Sequence, residues 1–357
     1  MVDLEPNSLV IGIDLGDRTS SYCVRGREDR RVVMEGVVAT SAPAMLEQFQ
    51  GLRRQLMVLE TGTHSRWVAQ LLELMGQEVI VANARKLKLI SENNQKSDRV
   101  DARLLSELGC TNVEWLHGVW VRSDAWHRDL LVVRARQTLV EVRTGLINQV
   151  RGTAKSYGSR LEKCGAERFA KVAEGAPEAL QPAIGGVVAT LQEVDEQIKE
   201  YDRQIEAMCT TKYPQTHWLR QVKGVGPVTA LTYVLTIEDV HRFECSRDVG
   251  AYLGLVPKRR QSGARDPQLG ISKTGDELLR KLLVNCAHYI LGPLGVDSDL
   301  RRWGLELVEA SLRAGKKKGA RKRAAAAVAR KLAVLLHRLW VAEAQYQPLR
   351  QAADPAA

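Results

Sequence analysis

Short apolar runs and turn residues alternate through the first hundred positions. Leu9 to Ile13 is an apolar run that closes on Asp14, and Ser20 to Val24 and Arg31 to Val38 predict two further strands. Gly16-Asp17 and Gly26 to Asp29 supply the turns between them. Ala42 to Gln55 has helical periodicity, Leu56 to Leu59 is a buried strand ending at Glu60, His64 to Met75 is an amphipathic helix, and Glu78 to Ala82 a fifth strand. From Trp126 to about Lys155 the period becomes that of one long helix, with Leu130, Leu131, Val133, Leu139, Val140, Val142, Leu146 and Ile147 among many charges. A second long helix, Val187 to Met208, follows a connection at Glu174 to Gly186, and two such helices predict an antiparallel hairpin or coiled-coil arm. After Tyr213-Pro214 a compact helical region runs to about Gly295, followed by a basic helix to Trp340.

The order of the first elements, β-β-β-α-β-α-β, is a ribonuclease H-like layout, in which antiparallel strands continue into parallel ones. The predicted fold class is therefore α/β plus α: an RNase H-like first domain over residues 1–120, a helical arm over 121–213 and a helical domain over 214–345. A chain of 357 residues is long enough for two or three domains. The six cysteines are scattered, with no C-x-x-C pair and no histidine at zinc-ligand spacing, so reduced thiols and no structural zinc are expected. No apolar run approaches the roughly 18 residues of a membrane helix, and the N-terminus lacks the pattern of a signal peptide. A cytoplasmic protein without membrane contact is expected.

Charge changes the picture. Lys and Arg number 52 against 42 Asp and Glu, a formal charge of +10. Ser311 to Trp340 alone holds ten basic residues and no acidic one, including Lys316, Lys317, Lys318, Arg321, Lys322 and Arg323. A second cluster, Lys258, Arg259, Arg260, Arg265 and Lys273, lies just upstream. A single charge run is usually a solvated face. Two in one region point to a polyanion, because each neutralised phosphate releases condensed counterions.

Four carboxylates carry candidate chemistry. Asp14 ends the first strand and Glu60 the fourth, while Asp98 and Asp101 are three residues apart and share one helix face. In a ribonuclease H-like sheet the first and fourth strands are neighbours, so these acids converge at one edge. Hard oxygen ligands there suit Mg²⁺, and two ions roughly 3.5–4 Å apart stabilise the attacking and leaving oxygens of a phosphodiester. Taken singly, each acid reads as a turn residue, a helix cap or a solvated side chain. All four at the right element ends do not. Gly12-Ile13-Asp14-Leu15-Gly16 also resembles the phosphate-gripping turn of actin-like kinases and chaperone ATPases, but the glycine-rich loops those chains need further on are missing.

The C-terminal region adds Lys223-Gly224-Val225-Gly226-Pro227, a helix-hairpin-helix pattern in which Gly224 and Gly226 let backbone N–H groups face a DNA phosphate; a plain helical turn competes with it. Downstream, Ser262 is bracketed by arginines and followed by glycine. Nearby cations favour alkoxide character and neutralise a pentacovalent phosphate. The residues alone do not select Ser262 over Ser272.

Asp14, Glu60 in Val58-Leu59-Glu60-Thr61-Gly62, Lys96-Ser97-Asp98-Arg99-Val100-Asp101-Ala102, Gly224-Val225-Gly226-Pro227, Tyr252 to Pro257, Ser262-Gly263 and Gly270-Ile271-Ser272-Lys273 together resemble the DEDD transposases of bacterial insertion sequences, relatives of the Piv-type invertases that include bridge-RNA-guided recombinases. The resemblance runs from about residue 9 to 292. It implies a RuvC-like domain whose metal-binding tetrad is Asp14, Glu60, Asp98 and Asp101, and a transposase domain whose nucleophile is Ser262, with Ser272 in reserve. It implies Mg²⁺, with Mn²⁺ as a substitute, and donor and target double-stranded DNA and a guide RNA as partners. It also implies a homo-oligomer, dimer or tetramer, with active sites assembled from two subunits. A RuvC-like nuclease that uses water, and a non-catalytic nucleic-acid-binding module, are the competing readings.

Overall fold

The computed structural model describes residues 5–83, 86–87, 97–262 and 269–349. It divides into two compact units, Met1–Ser123 and Asp124–Ala357. Arg265, one of the expected nucleic-acid contacts, lies outside the described residues.

The first unit is built on five strands: β1 (Leu9–Leu15), β2 (Thr19–Gly26), β3 (Val32–Ala39), β4 (Leu56–Glu60) and β5 (Glu78–Ala82). They form one sheet in the order β3-β2-β1-β4-β5. The β1–β2 and β2–β3 pairs are antiparallel, whereas β1–β4 and β4–β5 are parallel, the mixed pattern expected of the sequence. Strand alternation assigns the two faces. Ile11, Ile13, Met57, Leu59 and Val81 share a core with Met45 and Phe49 of α1 (Ala42–Phe49) and Val68, Ala69 and Leu72 of α2 (Ser65–Leu74). On the opposite face Val10, Leu56, Val58 and Ala82 pack against Leu105 and Leu108 of α3 (Asp98–Thr111). The predicted helix over Ala42 to Gln55 stops at Phe49, because Gln50 turns extended with ψ 142°.

The helix α3 lies unusually close to β1. A Cβ on Gly12 would stand 2.3 Å from the Ala102 carbonyl oxygen, and one on Gly109 would stand 2.6 Å from Val10 Cγ1. Both distances are below any ordinary contact, so only glycine permits this approach.

The second unit begins with two long helices, α4 (Asp124–Ser156) and α6 (Gln181–Thr211), linked through the short α5 (Phe169–Ala173). Arg136 pairs with Asp202 at 2.5 Å and Arg143 with Asp195 at 3.0 Å, a descending register that makes α4 and α6 antiparallel. The second helix starts earlier than the expected Val187, because Pro182 occupies its first turn, where a missing N–H costs nothing. Beyond it come α7 (Thr216–Arg220), α8 (Pro227–Ile237), α9 (Asp248–Tyr252), α10 (Glu277–Leu291), α11 (Asp299–Arg313) and α12 (Ala320–Ala342). The single basic helix expected after Gly295 is thus two, broken at 314–319. Their core includes Leu231, Tyr233, Val234, Leu283, Val328, Leu332 and Leu336, and the buried Tyr233 hydroxyl donates to the Ala333 carbonyl at 2.7 Å. Among the described residues no helix is long and apolar enough to cross a membrane.

Candidate active site

All four candidate acids are placed by regular elements of the first unit. Ile13 pairs with Leu59 in the parallel β1–β4 ladder, so Asp14 and Glu60 follow side by side at the same strand ends. Alternation puts Asp14 on the face of Val10 and Gly12, and Glu60 on the face of Leu56 and Val58, which is the face α3 covers. The helix runs against β1, with Ala102 over Gly12 and Gly109 over Val10. Its N-terminus therefore lies toward the Asp14 end of the strand. Asp101, one residue before Ala102, is 3% exposed there. Asp98 stands a turn further out, exposed, in the first turn behind the N-cap Ser97, whose hydroxyl accepts the Val100 N–H.

The acids thus share one face and one edge. Their carboxylate oxygens are the kind of donor a hard divalent cation takes. Among the described residues no three His, Cys, Asp or Glu side chains are gathered as a finished ion cage.

Two further contacts border this edge. In the β1–β2 turn Asp17 Oδ1 lies 3.6 Å from Nε2 of His64, four residues beyond Glu60. Trp67 Nε1–H donates to His64 Nδ1 at 3.0 Å, so the neutral imidazole carries its proton on Nε2, facing Asp17. On the outer side of α3, Glu35 of β3 receives both Arg99, at 2.8 Å from Nε, and Arg103, at 2.9 Å from Nη2. The Arg103 hydrogen bond leads in holding the Glu35 carboxyl down to about 2. This clamp ties the acid-bearing helix to the strand at the sheet's edge. Sequence reading missed both contacts, which join residues 47 to 68 positions apart with no local motif.

In the second unit Ser262 is exposed, as are Lys258, Arg259 and Arg260 before it. Val256 to Lys258 pair back onto Gly270 to Ser272 across the excursion that carries Ser262, through Lys258 N–H to the Gly270 carbonyl at 2.9 Å and Ser272 N–H to the Val256 carbonyl at 2.8 Å. Ser272 Oγ lies 3.1 Å from Thr274 Oγ1, and Lys273 between them has a left-handed backbone, φ +59°. Gly224, φ +101°, and Gly226 join α7 to α8, with Gly226 the N-cap of α8. Lys316, Lys317, Lys318, Arg321, Lys322 and Arg323 are all exposed, and Arg323 folds back to donate to the Lys316 and Lys318 carbonyls at 2.7 and 2.8 Å.

Comparison with known proteins matches residues 11–158 to a transposase family model of the DEDD type and residues 216–292 to the model of the IS116/IS110/IS902 transposase family. The transposase for insertion sequence element IS1111A of Coxiella burnetii is 30% identical over 60% of this chain and 61% of its own length. That for element IS1328 of Yersinia enterocolitica is 26% identical over 84% and 89%. A probable family 20 transposase of Pseudomonas aeruginosa is 30% identical over 48% and 53%, so the chain spans less than two thirds of the Coxiella and Pseudomonas relatives. Both family models, and the three relatives by their names, are transposases. The chain is similar to DEDD transposases of insertion sequences over both matched segments.

Proposed function

We propose that the chain moves an insertion sequence by cutting and rejoining double-stranded DNA through a serine-linked intermediate, with Asp14, Glu60, Asp98 and Asp101 as the acid tetrad and Ser262 as the nucleophile. The observation that carries it is the shared placement of the acids, with Asp14 and Glu60 at adjacent strand ends on the face that α3 covers and Asp101 at the near end of that helix. The domains assigned to this reaction are 1–120 for the tetrad, 121–213 for the arm that pairs copies into a dimer or tetramer, and 214–345 for the serine and the basic helix.

Divalent metal, Mg²⁺ or Mn²⁺, supplies charge neutralisation at the scissile phosphate when held by the tetrad. Ser262 Oγ attacks phosphorus and releases its proton to water. The Oγ–P bond forms as the bond to one deoxyribose oxygen breaks, and that oxygen takes up a proton. The phosphoserine bond keeps the energy of the broken linkage, so rejoining needs no outside energy source. Lys258, Arg259, Arg260 and Arg265 supply positive charge to the phosphate, and Lys273, Lys316, Lys317, Lys318, Arg321, Lys322 and Arg323 hold nucleic-acid backbones, as do the Gly224 and Gly226 amides of a helix-hairpin-helix. Sequence choice falls to base pairing with a bridge RNA.

The test is a trapping reaction with Mg²⁺ on a supercoiled substrate. Wild-type protein is expected to yield a covalent protein–DNA adduct; Ser262→Ala yields none, and Asp14→Asn lowers cleavage by about 10³-fold, the scale of metal-assisted charge stabilisation. Cleavage that survives Ser262→Ala but not Asp14→Asn establishes a water-using nuclease instead.

A further inference from the structure

Ser262 lies between two feet, Leu253 to Lys258 and Gly270 to Asp276, and Ser272 lies on the second of them. Beyond the pairs already described, Lys273 N–H donates to the Gly254 carbonyl at 3.0 Å. The feet cross with no room for side chains: a Cβ on Gly254 would stand 2.2 Å from the Thr274 carbonyl oxygen, and one on Gly275 2.1 Å from that of Tyr252.

Beneath this crossing lies Arg280, on the first turns of α10 and only 9% exposed. Its Nη1 donates to the Thr274 carbonyl at 2.7 Å and the Leu253 carbonyl at 3.1 Å, with a longer contact to that of Asp276 at 3.4 Å. Leu253 belongs to the foot that leads out to Ser262 and Thr274 to the foot that holds Ser272, so one guanidinium nitrogen joins the two. Its neighbours on α10, Leu279 and Leu283, are fully buried apolar residues. A buried cation is costly in such surroundings, and a methionine of similar length would fill the space at lower cost. What the guanidinium adds is charge-assisted donation to both carbonyls from one nitrogen, which a methionine cannot supply.

We propose that Arg280 is a positioning residue: it fixes the register of the two feet, and through them the place of the serine hydroxyl on the scissile phosphate. Its burial separates it from the exposed Lys258, Arg259 and Arg260, which can meet DNA directly. The claim rests on the reading that Ser262 or Ser272 attacks phosphorus. Misplacing a reacting group by about 1 Å costs about 10²-fold in rate, whereas backbone contacts that set affinity are left in place.

The test compares full-length wild type with Arg280→Met and Arg280→Lys. Hydrogen exchange follows the amides of Lys258, Ser272 and Lys273 against those of α8, and adduct formation is timed at saturating DNA beside a measured affinity. In Arg280→Met the foot amides are expected to exchange about tenfold faster, the scale of losing charged hydrogen bonds. The amides of α8 stay unchanged, the adduct rate falls about 10²-fold, and affinity holds within about twofold. Arg280→Lys, which keeps the charge and the fold, recovers part of the rate. Parallel acceleration of α8 and the feet reduces Arg280 to a general stabiliser and overturns the proposal. So does a loss of affinity with the adduct rate intact. If wild type itself forms no adduct while the feet loosen in Arg280→Met, the serine reading is what has failed, and the positioning role falls with it although the tie between the feet stands.

Discussion

The two units hold their candidate chemistry by different means. In the first, the acids ride on strand ends and a helix N-terminus, so hydrogen-bonded ladders and helical pitch place them, and the side chains need only follow. In the second, Ser262 and Ser272 lie between α9 and α10, outside any helix, and a buried arginine joining two carbonyls does what periodicity does elsewhere. Regular elements carry their own register. Irregular backbone must borrow it from a side chain, so single substitutions in the two units are expected to fail differently.

The sharpest way to break this contrast is to disturb a regular element's packing without touching an acid. Gly12→Val drives a branched side chain into the Ala102 carbonyl and Ser106 amide and is expected to destabilise the first unit by about 3 kcal/mol. Hydrogen exchange in α3 of the full chain measures it, and an unchanged α3 would show that the close approach is not needed. A smaller effect is expected at Glu35. Its carboxyl is held at about 2 against an ordinary 4.5, so its pairing with Arg99 and Arg103 stabilises fully above pH 4.5 and fades as pH falls toward 2. The gap in urea midpoint between wild type and Glu35→Gln should therefore narrow across that window, and a constant gap would count against the clamp. The mildest change is expected from the exposed basic segment of the second unit. Replacing Lys316, Lys317 and Lys318 with Gln should leave folding intact and flatten the dependence of log affinity on log salt by about 0.9 for each lysine that meets a phosphate.

Much of the first unit was legible because its signals are local. Apolar runs of strand length, turn residues between them and acids at their ends mark β1, β4 and their neighbours, and the strand order follows from the layout. Boundaries were less legible. Leu52 prolongs the helical period of α1, yet the backbone turns extended at Gln50, while Gly185 and Gly186 look like linker residues and lie inside α6. Contacts that cross the sequence left no mark. Asp17 with His64, Glu35 with Arg99 and Arg103, and Arg280 with Leu253 and Thr274 each depend on side chains that only the folded backbone brings into reach. Of the candidate site, the acids were legible as strand-end and helix-start positions. The serine excursion is aperiodic, so its shape could not be read from spacing.

Lys273 adopts a conformation that costs a residue with a side chain about 1–2 kcal/mol and a glycine almost nothing. A lysine kept at such a bend is an expense the backbone did not require. Exchanging it for glycine should relax the bend and make the folded chain harder to melt while stripping one positive charge beside the serines, so that heat resistance and grip on DNA move in opposite directions.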